Sequence, residues 1–271
     1  MKKLHESNAL IVGLARDCEE GIKSTLPRLD DFKNTFKSVQ FRIMTNDSSD
    51  KTEEVLDNWA VKKENVKIIK QNNLSIHAPK RTARLAICRN MLLDELKDIN
   101  KYINIDYFIM MDLDGMNSGL IKNQEFTKVV ESAPKGWGAL TANQRGPYYD
   151  IWALRHKKWC PNDCFAEARK YRLNIFNIIK HGGIGKADKV AFKKYISDRQ
   201  IIICPTDEPI KVNSAYGGFG IYKTIFLKDA SFLGLRPNGR EVVEIVHFNH
   251  QIEKNGGDLY ILPNLINDPH W

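Results

Sequence analysis

A chain of 271 residues, 42% hydrophobic and 27% charged, has the balance of an ordinary globular protein and is long enough for one large α/β domain or two small ones. Its net charge of +8 suits a surface that meets phosphates, anionic lipid or nucleic acid, but lysine and arginine are spread along the sequence, so most of them read as a solvated surface. No apolar run reaches the ~20 residues of a membrane helix, the short run from Ala9 to Ala15 makes a poor secretory signal, and five scattered cysteines suggest reduced thiols in a cytoplasmic setting.

In chain order, Ala9 to Leu14 is an unbroken apolar run and reads as a buried strand. Glu19 to Phe36 reads as a helix interrupted or restarted near Pro27. Val39 to Met44 is a second strand, ending in the polar turn Thr45-Asn46-Asp47-Ser48-Ser49-Asp50, which also caps the helix expected over Lys51 to Trp59. Val66 to Lys70 is a third strand. Arg81 to Leu96 is an amphipathic helix, with Leu85, Cys88, Leu92 and Leu96 near one face.

The run Tyr107-Phe108-Ile109-Met110-Met111 then ends in Asp112-Leu113-Asp114-Gly115. In extended chain the side-chain period is two, so Asp112 and Asp114 point the same way. Two carboxylates that close repel unless a positive charge sits between them. A hard divalent cation, Mg²⁺ or Mn²⁺, answers that need and leaves positions open for phosphate oxygens.

Alternating strands and helices give a mostly parallel central sheet flanked by helices, an α/β fold, and in such sheets ligands bind beyond the carboxyl ends of the strands. Three of those ends, Ala15-Arg16, Asn46-Asp47 and Asp112-Asp114, are polar and follow apolar runs, which points to a nucleotide site. Ala15, Arg16 and Asp47 are placed to frame base and ribose, and Arg84 or Arg89 to add positive charge at a diphosphate, with bracing of the aspartates as the other reading of Arg89. No repeat, low-complexity segment or linker divides the chain.

Later segments are more ambiguous. Cys160 and Cys164, with His156 nearby, lack the further ligands a zinc site needs and read as structural thiols. Tyr148, Tyr149, Asp150, Trp152 and Arg155 form an aromatic and polar cluster that suits stacking on a sugar ring or anchoring in a core. Gly217 and Gly218, in Ser214-Ala215-Tyr216-Gly217-Gly218-Phe219-Gly220, mark either a ligand-facing loop or a tight turn into a strand. Glu241 and Glu244 share a face if their segment is helical.

With these residues in view, the chain resembles the GT-A class of nucleotide-sugar-dependent glycosyltransferases. Asn46 to Thr52 is similar to the D-G-S-x-D-x-T turn of that class, with Ser48 in place of its glycine; Cys88-Arg89-Asn90 is similar to its A-R-N motif and Asp112-Leu113-Asp114 to its Asp-X-Asp motif. Closer similarity is to the viral, bacterial and fungal capsule-type transferases with a D-L-D motif. Arg81, Leu85, Ala86, Arg89 and Asn90 match their R-x-x-x-L-A-x-x-R-N string, and Glu244 to Asn249 resembles their E-H-V-x-F-N, with Ile245 where that string has His.

The resemblance implies a single GT-A domain over residues 1–271, with a nucleotide-sugar half at 1–115 and an acceptor half at 140–271. It implies Mn²⁺ or Mg²⁺ at Asp112 and Asp114, with the late His270 as a further ligand, and a nucleoside-diphosphate sugar, UDP or GDP first, as donor. A glycan or glycoconjugate would be the acceptor, at Tyr149, Asp150, Trp152, Gly217 and Gly218. An inverting transfer needs a carboxylate to take the acceptor's proton, with Glu244 first and Glu241 second. Nucleic acid is not an expected partner; peripheral contact with a membrane is compatible with the basic surface. Two rivals stand beside this reading. A sugar-phosphate nucleotidyltransferase would carry a glycine-rich basic loop after the first strand, of which Gly13 to Cys18 is a poor version. A nucleic-acid-binding protein is suggested by the +8 charge alone.

Overall fold

The apolar run at the start forms β1 (Asn8–Ala15), and its continuous hydrophobicity has a plain cause: the strand is covered on both faces. A computed structural model describes residues 2–121 and 123–268. After β1 come α1 (Glu19–Asp31), β2 (Ser38–Asn46), α2 (Thr52–Ala60), β3 (Val66–Gln71), α3 (Leu74–His77), α4 (Arg81–Ile99) and β4 (Tyr107–Asp112). The second half adds α5 (Asn123–Glu131), β5 (Trp137–Asn143), α6 (Cys164–Arg172), α7 (Ile175–His181), α8 (Ile184–Tyr195), β6 (Ile210–Val212), β7 (Phe219–Lys223), α9 (Glu244–Lys254) and β8 (Asp258–Ile266).

Among the described residues, eight strands join one sheet in the order β3-β2-β1-β4-β7-β5-β8-β6. β3, β2, β1 and β4 are parallel, as are β5 and β8; β7 runs antiparallel between β4 and β5, and β6 antiparallel on the edge beside β8. The expected α/β class, a mostly parallel sheet between helices, is what the chain forms. Successive residues of β1 face opposite cores. Leu10 and Val12 pack with Leu92, Leu96 and Phe248 on the side of α4 and α9. Ala9 and Ile11 pack with Ile22, Leu29 and Phe126 on the side of α1 and α5. Each such buried aliphatic or aromatic side chain contributes about 1.5–3 kcal/mol.

Two expectations need correction. α1 runs through Pro27 without a break. A proline gives up one helical hydrogen bond, but Ile22, Leu26 and Leu29 are buried on either side of it and hold the helix to the sheet. Glu241 and Glu244 do not share a helix face, because α9 begins at Glu244 and Leu235 and Glu241 instead form an isolated bridge. Among the described residues, no helix is long and apolar enough to cross a membrane.

Candidate functional site

β2 and β3 lie on one side of β1 and β4 on the other, so the strand order reverses direction between β1 and β4. Crevices for ligands open at such points, beyond the carboxyl ends. A cleft of about 490 Å³ lies there, with Ala15 and Arg16 after β1, Asn46 after β2, and Asp112 and Asp114 at the end of β4 on its walls. α4 contributes Arg84 and Arg89, and the later chain contributes Tyr149, Asp150, Trp152, Tyr216 and Glu244.

Arg89 is buried and links two carboxylates. It donates from Nη1 to Glu244 Oε1, and its Nη2 lies 3.8 Å from Asp112 Oδ1. Its guanidinium carbon sits 5.1 Å from the centre of the Tyr216 ring. Burial alone would weaken its charge, but Glu244, with Tyr216 and Asp112, outweighs burial and raises its pKa. The Tyr216 hydroxyl donates to Asp112 Oδ1 at 3.0 Å. Burial pushes the Asp112 carboxyl up to about 7; Arg89 pulls the other way, and Asp114 and Asp150 add to the rise.

That unbalanced negative charge is a test of whether a metal fits. Two oxygen-only donors, Asp112 and Asp114, open on the same cleft, and Arg89, 3.8 Å from Asp112 and shared with Glu244, balances them only in part. Such a donor set suits a hard divalent cation that keeps water or phosphate oxygens in its remaining positions. Among the described residues no group of three or more His, Cys, Asp or Glu closes around a metal. His270, expected as a further ligand, lies outside the described residues.

The end of β4 is fixed by a buried amide network. Asn117 Nδ2 donates to the carbonyls of Asp112 and Gly218, each at 2.8 Å. Asn267 Nδ2 donates to Asn117 Oδ1 at 2.8 Å and to Gly217 O at 2.9 Å, and Gln144 Nε2 donates to Asn267 Oδ1 at 3.0 Å. Gly217 and Gly218, at φ +66° and +81°, do not line the cleft. Their work is in the backbone: Gly217 N donates to Asp150 Oδ2 at 3.0 Å, and Gly218 O accepts from Asp112 N at 2.8 Å. Asp150 also accepts from Ala153 N at 3.4 Å, and burial still pushes its carboxyl up to about 6.

Other expected residues take different places. Asp47 does not line the cleft; its carboxylate accepts from the backbone N–H of Asn73 (2.6 Å) and Ser75 (2.9 Å), which hold its pKa low and seat α3, and Asn46 faces the cleft instead. Glu241 accepts from Thr82 Oγ1 at 3.0 Å and lines an adjoining groove of about 370 Å³, away from the cleft. Trp152 borders both spaces, with its ring edge-on to Phe165 at 5.5 Å. Arg84 donates to the carbonyls of Ala78 and Pro79, and Arg16 pairs with Asp17 at the rim. Sequence reasoning missed Tyr216, although it lies within the glycine segment singled out, and missed Asn117, Gln144 and Asn267 altogether.

No family model and no curated protein matches the chain. Solved structures resemble it at low identity. Staphylococcus aureus TarS 1-349 is 14% identical, with 96% of this chain and 59% of that chain covered and a TM-score of 0.45. The mannosyltransferase PcManGT from Pyrobaculum calidifontis, in complex with GDP-Man and Mn²⁺, is 10% identical over 96% of this chain and 56% of that one, TM-score 0.47. Glucosyl-3-phosphoglycerate synthase from Mycobacterium tuberculosis, in complex with Mn²⁺, UDP and glucosyl-3-phosphoglycerate, is 12% identical over 98% of this chain and 72% of that one, TM-score 0.43. The chain spans less than three fifths of the length of the first two.

Proposed function

We propose that this chain is a metal-dependent glycosyltransferase that moves a sugar from a nucleoside-diphosphate sugar, with UDP or GDP as the nucleotide, to a hydroxyl of a glycan or glycoconjugate, with inversion. The observation that carries this reading is the convergence of Asp112, Asp114, Arg89 and Glu244 on one cleft at the β1/β4 strand ends. Asp112 and Asp114 would hold Mn²⁺ or Mg²⁺, and the bound cation supplies positive charge against the charge that grows on the departing diphosphate. Tyr216 and Arg89 orient Asp112 for that task. Arg16 and Arg84 line the same cleft and favour phosphate oxygens. Ala15 and Asn46, at the ends of β1 and β2, bound the nucleoside.

Glu244, held by Arg89 on the cleft wall, takes the proton from the acceptor hydroxyl. That oxygen bonds to the anomeric carbon as the bond from carbon to diphosphate oxygen breaks on the opposite face. The acceptor lies across Trp152, which borders both the cleft and the adjoining groove. A second assignment of the base has support of its own: Asp150 lines the cleft with its carboxyl pushed up to about 6, close to the pKa that suits a general base near neutral pH.

The test is thermal unfolding with UDP-, GDP- and dTDP-sugars, with and without Mn²⁺. One sugar nucleotide should stabilise the protein in a metal-dependent way, by about 2.7 kcal/mol at a hundred times its Kd. Asp114→Asn should remove the metal-dependent part and abolish transfer while the fold survives. Unchanged turnover in that variant, or stabilisation by oligonucleotides alone, would defeat the proposal.

A further inference from the structure

The α6–α8 hairpin sits outside the cleft and does not resemble a solvated surface. Residues 164–195 carry eight lysines and arginines against two carboxylates, so they hold +6 of the chain's +8. Lysines and arginines are spread along the sequence, but most of their excess over carboxylates falls on this one lobe. The two carboxylates are already engaged, Asp188 with Arg172 at 3.2 Å and Glu167 with Arg199 at 2.6 Å. Lys170, Lys180, Lys186 and Lys189 are exposed and have no carboxylate partner among the described residues.

Between these cations stands α7, a helix with no buried residue. Phe176 is 78% exposed, Ile179 70% and Ile175 59%. At about 100° per residue these three fall on one face of the helix. Leu173 before α7 and Ile184 after it are exposed as well. The helix is not a frayed end. Asn174 Oδ1 accepts from Phe176 N at 2.9 Å, Gly182 closes the other end at φ +71°, and the Tyr171 hydroxyl lies 3.0 Å from His181 Nε2. A capped helix that turns three large apolar side chains to solvent on one face, with Lys180 beside them, marks an interaction surface.

We infer that this lobe docks on an anionic lipid surface, with Phe176 and Ile179 entering the interface and the surrounding lysines meeting the headgroups. Charge complementarity selects this occupant. A second copy of the chain would bring two lobes of +6 together, which repel. α6 and α8 line the adjoining groove, but no residue of α7 lines it or the cleft, so neither offers a peptide a seat against Phe176 and Ile179. The inference is independent of the proposed chemistry, because it concerns a surface outside the cleft.

Co-sedimentation of the full chain with phosphatidylcholine vesicles, alone or with about a third phosphatidylglycerol at about 0.15 M salt, tests it. Partition should be at least ~10-fold stronger on the anionic vesicles. Phe176→Ser/Ile179→Ser should lower that partition by ~10-fold or more while the unfolding midpoint holds, because both side chains are mostly exposed. Lys180→Glu/Lys186→Glu should remove the preference for anionic lipid. The inference falls if wild type does not partition, or if both double variants partition as wild type does. It also falls if light scattering finds a dimer that Phe176→Ser/Ile179→Ser dissolves.

Discussion

Arg89 serves two carboxylates with different proposed tasks: it fixes Glu244 at the start of α9 and leans on Asp112 at the end of β4. Removing one member of such a buried pair typically costs about 3–5 kcal/mol, because the partner charge is left unmatched, so Arg89 variants report on stability before chemistry. Glu244→Gln keeps the shape and a hydrogen-bonding oxygen but also takes the opposing charge from Arg89, so its turnover is read beside its unfolding midpoint. Turnover should fall by ~10²-fold or more with donor affinity near wild type, the range for losing a general base. Asp150→Asn separates the two assignments. If Asp150 is the base, Glu244→Gln keeps most of its turnover and the wild-type rate rises with pH through about 6, where the Asp150 carboxyl gives up its proton. Asp150→Asn would then abolish that limb. Stopped assays of both variants across pH 5 to 8 decide between them.

At the scale of elements, the position of Asp114 depends on how closely α1 approaches it. A Cβ added at Gly21 would meet the carbonyl carbon and oxygen of Asp114 at 2.2 Å, and Gly115, at φ +101°, gives way on the other side of the contact. Gly21→Ala should gain up to about 1 kcal/mol in helix propensity and lose about 1–3 kcal/mol to the overlap. The overlap wins, and it falls on a proposed metal-binding residue. Urea unfolding should show net destabilisation, and donor binding in Mn²⁺ should weaken with it; a variant as stable and as active as wild type would show that this contact positions nothing. The strands and the long helix of the first half were legible in sequence because a strand covered on both faces is an unbroken apolar run with a polar end. The second half was harder to read. α7 buries nothing, so it leaves no periodic buried stripe, and β6 is three residues long. The amides that hold Asp112 carry no local signal, since Asn117 and Asn267 meet across 150 residues of chain. Glu241 was grouped with Glu244 by spacing alone, which failed because α9 starts only at Glu244.

For the whole molecule, chain order and space disagree in a way that bears on function. β5, β7 and β8 follow β4 in sequence, yet they extend the same sheet beyond it. One wall of the cleft therefore comes from residues before 115 and the other from Tyr149, Asp150, Trp152, Tyr216 and Glu244. The first wall holds the strand ends that gather nucleotide chemistry; the second holds an aromatic ring and the candidate bases, which suits an acceptor. Trp152→Ala tests this division. The ring is only half buried, packs edge-on against Phe165, and donates from Nε1 to Asp163 at a long 3.4 Å, so its loss should leave the sheet intact. Losing a stacking surface for a sugar costs about 1–3 kcal/mol, by analogy with burial of an aromatic side chain. That corresponds to a rise in acceptor KM or a fall in kcat of roughly 5- to 150-fold, at 1.4 kcal/mol per tenfold. Affinity for the free nucleotide should change less than twofold, because the proposed nucleoside contacts lie on the other wall. Calorimetry with the nucleotide, run beside acceptor kinetics, separates the outcomes. If Trp152→Ala folds normally but loses nucleotide binding, the ring caps the donor, and the two walls do not divide the substrates between them.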